Sequence, residues 1–77
     1  MKELLIDIAK GLVSAPDAVS VTEDAPDEEG VIVMHLHVAE DDTGRVIGKQ
    51  GRIAKAIRTV LRAAAARAGA KVNVDID

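Results

Sequence analysis

Apolar residues recur along this chain with two different periods, and the switches between them mark its elements. Leu4, Leu5, Ile8, Ala9, Leu12 and Val13 repeat at i, i+1, i+4 and i+5, the spacing of one buried helix face, and predict a helix over residues 2–14. Lys2, Glu3, Asp7 and Lys10 fall mainly on its other side. Pro16 ends it, because the proline ring disfavours helical geometry at the preceding residue. Period two then takes over. Val19 and Val21 alternate with Ser20 and Thr22 in a short strand, and Glu23–Gly30, with Pro26, Gly30 and five acids, reads as a loop. Val31–Val38 is the clearest strand, with Ile32, Met34, Leu36 and Val38 on one face and Val31, Val33, His35 and His37 on the other.

The second half of the chain returns to helix. Glu40-Asp41-Asp42-Thr43 is a polar turn able to cap a helix N-terminus. A short helical turn over about 42–47 leads to Gly48 and Gly51, and a long helix runs from about Gly51 to Arg67 with Ile53, Ile57, Val60, Leu61 and Ala64 as its apolar stripe. The alanines at 63–66 favour helix, and also offer a close-packing surface for a second copy. Gly69 is placed to stop the helix. Lys71–Ile76 alternates Val72, Val74 and Ile76 with polar residues as a last strand. The order is α-β-β-α-α-β, and the architecture it predicts is α+β: three strands in one sheet with helices packed on one face. The 77 residues are read as one domain, 1–77, with no repeat or linker.

Composition narrows the chemistry. There is no cysteine, which removes disulfides, a thiol nucleophile and Cys-type zinc ligation, and favours a reducing, cytoplasmic setting. No apolar run approaches the ~20 residues of a spanning helix, and Glu3 and Asp7 interrupt what would be a signal-peptide core, so no membrane partner is expected. Phe, Trp and Tyr are all absent, which excludes modules that stack bases or sugars on flat rings. His35 and His37 lack a third histidine or cysteine for zinc, and the acidic runs Asp24–Glu29 and Glu40–Asp42 lack calcium-loop spacing and are read as solvated. No nucleophile–base pair or catalytic carboxylate pair is evident, so neither an enzyme nor a cofactor site is expected.

Charge is what changes the picture. The net charge is −3, yet Gly44–Lys71 carries eight bases and no acid, against two bases and eleven acids in residues 1–43. Such asymmetry points to a polyanion. Within the basic segment lies Gly44-Arg45-Val46-Ile47-Gly48-Lys49-Gln50-Gly51-Arg52-Ile53. Gly48-x-x-Gly51 alone is a weak signal, but here it sits between two helical segments. Glycines there let backbone approach a ligand, and the positive end of the second helix faces the same place. A P-loop is excluded, since the spacing from Gly44 to Gly48 is one short and Gln50 stands where a Mg²⁺-binding hydroxyl is required. A dinucleotide fingerprint fails at Val46.

Val46-Ile47-Gly48-Lys49-Gln50-Gly51-Arg52-Ile53 resembles the V-I-G-x-x-G-x-x-I signature of KH domains, with the final Ile one position early. The element order matches the type II KH arrangement. The whole chain is similar to the small single-domain bacterial KH proteins of the KhpA family, most specifically over Gly48–Ala56. The resemblance implies that Gly48, Lys49, Gln50 and Gly51 hold about four nucleotides of single-stranded RNA. Arg45, Arg52 and Lys55 would border the phosphates, and Ile47 and the strand 31–38 would help line the groove. Arg52, Lys55, Thr59 and Arg62 share one helix face. It further implies post-transcriptional control or RNA chaperoning, with a KhpB (Jag) partner linked to cell-wall synthesis and cell length. The alternative is a protein-interaction subunit that forms a homodimer or docks a KH partner, with little RNA binding of its own. Replacing Gly48 and Gly51, or Lys49 and Gln50 by Asp, should abolish RNA retention and leave the circular dichroism unchanged.

Overall fold

The computed structural model describes residues 1–76. Helix α1 spans Lys2–Lys10, strand β1 Ser20–Glu23, strand β2 Val31–His37, helix α2 Thr43–Ile47, helix α3 Arg52–Arg67 and strand β3 Lys71–Ile76. Short 3₁₀ turns at Pro16–Ala18, Glu40–Asp42 and Lys49–Gly51 join them. The order β1-β2-β3 puts β2 at the centre of one sheet. It pairs antiparallel with β1, with Val21 opposite Leu36, and parallel with β3, with Met34 opposite Val74. The α-β-β-α-α-β order and the three-stranded α+β architecture are therefore as the periodicity predicts.

Period-two alternation decides which face of the sheet is covered. Val21, Met34, Leu36, Val72 and Val74 pack in one core with Leu5 and Ala9 of α1 and Ile57, Leu61 and Ala65 of α3. Fully burying a side chain the size of leucine contributes about 1.5–3 kcal/mol relative to exposure, so Leu5, Leu36 and Leu61 carry a large share of the stability. The chain has no aromatic to add, and alanine at 9 and 65 lets α1 and α3 lie close to the core.

Several details differ from the sequence reading. The first helix ends at Lys10 rather than at 14. Gly11 weakens it, and the amides of Ser14 and Ala15 donate to the carboxylate of Asp42 instead of to helical carbonyls. Pro16 accordingly opens a 3₁₀ turn instead of closing α1. Strand β1 begins one residue later than Val19, and β2 stops before Val38. The buried stripe of α3 is Ala54, Ile57, Leu61 and Ala65, whereas Val60 is 47% exposed. Leu4, placed on the buried face of α1, is 38% exposed.

The uncovered sheet face holds an ionic bridge. His35 Nε2 lies 2.9 Å from Asp24 Oδ2 and Nδ1 lies 3.2 Å from Asp75 Oδ2. A neutral imidazole has one N–H, so both contacts are satisfied as hydrogen bonds only by the imidazolium. The hydrogen bond to Asp24, aided by Asp75, raises the His35 pKa against a smaller opposing effect of desolvation. The folded value lies above the unfolded one, so the stabilisation is complete below the unfolded pKa and disappears as pH rises through the folded pKa. Thermal melts of wild type and His35→Gln should therefore differ most at about pH 5.5 and converge by about pH 9. A gap that widens with pH would contradict the bridge.

Candidate nucleic-acid interface

The loop between α2 and α3 takes its shape from residues that tolerate positive φ. Gly48 has φ 76° and ψ 174°, a region open essentially to glycine alone. Gln50 follows at φ 58°, ψ 25° and Gly51 at φ 74°, ψ 14°, both left-handed. Gln50 is the one non-glycine residue with positive φ among the described residues, a conformation costing roughly 1–2 kcal/mol. Gly48 is also required by space. A Cβ there would lie 2.8 Å from Ile53 Cβ, closer still to Ile53 Cγ1, and 3.0 Å from the Ile53 amide nitrogen. Gly51 has nothing within 4 Å of a built Cβ, so only its backbone angles call for glycine.

This path fixes where the amides go. The Gly48 N–H donates to Gly44 O at 2.8 Å, and the Gly51 N–H to Gly48 O at 3.1 Å. The Arg52 N–H is satisfied by Lys49 O. Lys49 and Gln50, between these two glycines, are both exposed. They lie at the N-terminus of the 16-residue α3, whose N-cap is Gly51, so the positive end of the helix adds to the same place. Arg52 and Lys55 are exposed on the first turns of α3, and Arg52 Nη2 makes a long 3.5 Å contact with Gln50 Oε1.

Arg45 is placed by Asp42, a residue the sequence reading left in a solvated turn. Asp42 is 1% exposed. Its Oδ1 accepts from the Ser14 amide at 3.0 Å and the Ser14 hydroxyl at 2.8 Å, and its Oδ2 from the Ala15 amide at 3.1 Å. Arg45 Nε lies 3.3 Å from Oδ1. The backbone hydrogen bond from Ser14, followed by its hydroxyl and the Ala15 amide, holds the Asp42 carboxyl below the ordinary aspartate range despite burial. Asp42 makes no side-chain cap on α2, contrary to the capping role its position suggests. Its network ties the α1–β1 connection to the helix before the glycine loop. The depressed pKa means this stabilisation is present above the unfolded carboxylate pKa and is lost as pH falls through the folded one. Asp42→Asn should lower the melting temperature by about 5–10 °C at neutral pH, a penalty that shrinks on acidification. An unchanged melt would mean the network is not formed in solution.

Not all expected residues converge. Arg62 stands ten positions beyond Arg52, about 15 Å along α3, and lines a separate cavity of about 350 Å³ with Ala66, Lys71 and Val72. Ile47 is half-buried beside the loop. The expectation that strand 31–38 lines the groove is corrected: β2 is flanked on both sides, and Met34 and Leu36 are buried beneath the helices. The strand edge that runs beside α3 belongs to β3. There Arg58, passed over by the sequence reading, donates from Nε to Val74 O at 3.1 Å.

The chain is 54% identical over 76 residues to the RNA-binding protein KhpA of Clostridium acetobutylicum, covering 99% of both chains. It is equally similar to that of Clostridium perfringens, and 42% identical to that of Bacillus subtilis across 91% of the latter. These relatives are named for RNA binding rather than for a catalytic activity. Among solved structures, Aquifex aeolicus Era bound to GDP.AlF4- superposes with a TM-score of 0.65 at 20% identity, over 97% of this chain and 28% of that one. A structure of Era in complex with MgGDPNP and nucleotides 1506-1542 of 16S ribosomal RNA gives the same values, and both likenesses concern the fold. The family model described as KhpA/KhpB, KH domain matches residues 2–76, and the chain belongs to that family.

Proposed function

We propose that this chain binds single-stranded RNA without catalysing a reaction on it, clamping the sugar–phosphate backbone with Gly48-Lys49-Gln50-Gly51. Arg45, Arg52 and Lys55 border the phosphates, Ile47 offers an apolar contact beside the loop, and Arg62 extends the basic face of α3. The observation that carries this reading is the exposed Lys49-Gln50 pair, held between two glycines at positive φ at the positive end of α3. The names of the relatives support it. The whole chain acts as one KH domain and serves cytoplasmic post-transcriptional control or RNA chaperoning. A KhpB-like protein is the partner, with effects on cell-wall synthesis and cell length.

Salt titration tests the backbone clamp. Three to four phosphate contacts at about −0.7 each give a log–log slope of affinity against salt of roughly −2 to −3 for a single-stranded oligomer. No binding at low salt, or binding indifferent to salt, would overturn the reading. A second reading, a subunit that dimerises or docks a KH partner and barely binds RNA, is favoured by Val60, a large apolar side chain left 47% exposed. Sedimentation with and without RNA separates the two: an associated species that ignores RNA supports the second.

A further inference from the structure

We infer that Asp42 is a positioning residue for RNA capture: its buried carboxylate holds Arg45 in the orientation that meets a phosphate of the strand clamped by the Gly48–Gly51 loop. The inference rests on the RNA-binding reading above. Helix α2 has only five residues, Thr43–Ile47, too few to hold a helix by their own hydrogen bonds. Its direction is therefore set by what it is tied to. Val46 is fully buried, and Gly44 O accepts the Gly48 N–H at 2.8 Å, so the helix is fixed both to the interior and to the loop. Asp42 fixes its start, where the Ser14 amide, the Ser14 hydroxyl and the Ala15 amide all donate to the carboxylate.

Asp42 also stands at a telling place in the sequence. It is the last acid before the acid-free run Gly44–Lys71, and Arg45 follows three positions before Gly48. A carboxylate so near a phosphate site ordinarily weakens binding by repulsion. Here its charge is turned inward. The donors from Ser14 and Ala15 hold the carboxyl below the ordinary aspartate range, so it stays ionised opposite Arg45. Arg45 Nε lies 3.3 Å from Oδ1, while most of the arginine side chain is exposed. The guanidinium carries four further N–H donors on Nη1 and Nη2. A fork held at one atom loses less freedom on taking up a phosphate than a free cation does. Arg52, by contrast, meets only the neutral amide oxygen of exposed Gln50, at 3.5 Å.

Charge and positioning predict opposite signs for the loss of this carboxylate. If net charge alone governs binding, removing an anion beside a polyanion site tightens it. If Asp42 acts through Arg45, removing it weakens binding. A purely structural Asp42 would weaken binding whether or not Arg45 is present.

Fluorescence anisotropy of the full chain with labelled U8 RNA, at about 10 °C to stay well below the melt, tests the inference. Asp42→Asn should weaken binding about 3- to 10-fold although it makes the protein less negative. Its log–log salt slope should become shallower by up to about 0.7, the share of one phosphate contact. In the Arg45→Gln background the same substitution should change affinity less than about twofold, because the residue it acts through is gone. Arg45→Lys, which keeps the charge without the fork, should bind within about twofold of Arg45→Gln, and it decides the matter if Asp42→Asn does not fold. Unchanged or tighter binding by Asp42→Asn, an equal loss in both backgrounds, or wild-type affinity in Arg45→Lys would each overturn the inference and leave the RNA-binding reading standing. A wild type that does not bind U8 at low salt overturns both.

Discussion

The double variant Lys49→Asp/Gln50→Asp should lose affinity for single-stranded RNA by at least about 100-fold and melt within a few degrees of the wild type. Both side chains are exposed, and among the described residues neither is part of the core, so little packing is at stake. Aspartate also accepts the left-handed angles of position 50 more readily than most residues. At positions 49 and 50 carboxylates sit beside the N-terminus of α3, where negative charge is favourable to the helix. The same charges occupy the approach of a phosphate, repel it and supply acceptors to the amides meant for it. Filter binding or anisotropy reads the affinity, and circular dichroism reads the fold. A folded variant that retains RNA would remove the loop from the mechanism.

Gly48→Ala should do the reverse and damage the fold itself. The region near φ 76°, ψ 174° costs a non-glycine residue about 1–3 kcal/mol. The added Cβ then meets Ile53 Cβ at 2.8 Å and the Ile53 backbone nitrogen at 3.0 Å, and the backbone contact offers no rotamer by which to escape. Overpacking of this kind costs a further 1–3 kcal/mol or so. A combined loss of about 3 kcal/mol lowers the melting temperature of a domain this size by roughly 12–24 °C. Gly51→Ala, with the same sign of φ but open space, should lose roughly 1 kcal/mol or a little more. The expectation of unchanged circular dichroism therefore fails for Gly48, and only the aspartate variant separates binding from folding. Equal melts for the two alanine variants would contradict the contact with Ile53.

Local pattern made most of the fold legible. The alternation in Val31–His37 identifies the central strand and its buried face, because the strand period is fixed and one face must be covered. The cationic stretch and the paired glycines mark the loop for a similar reason: charge and freedom at positive φ are properties of residue type. Interactions between distant residues are where the reading stopped. Helix α1 ends early because its following amides bond Asp42, 28 positions away from Ser14. No neighbour of Asp42 distinguishes it from the solvated acids at 40 and 41. Val60 is apolar and adjacent to Leu61, yet a 100° step turns it out of the core. Arg58 looks like any other base on α3 until the edge of β3 is beside it.

The central claim concerns two main-chain N–H groups, and amide-resolved NMR observes them directly. In a ¹H–¹⁵N titration with a single-stranded RNA octamer, the Lys49 and Gln50 amides should shift furthest. The Gly48 and Gly51 amides, already bonded within the turn, should follow less, and the open sheet face around Thr22 and His35 should stay still. Saturable binding with the Lys49 and Gln50 amides unmoved, and the shifts gathered on that sheet face or around Val60, would contradict the account.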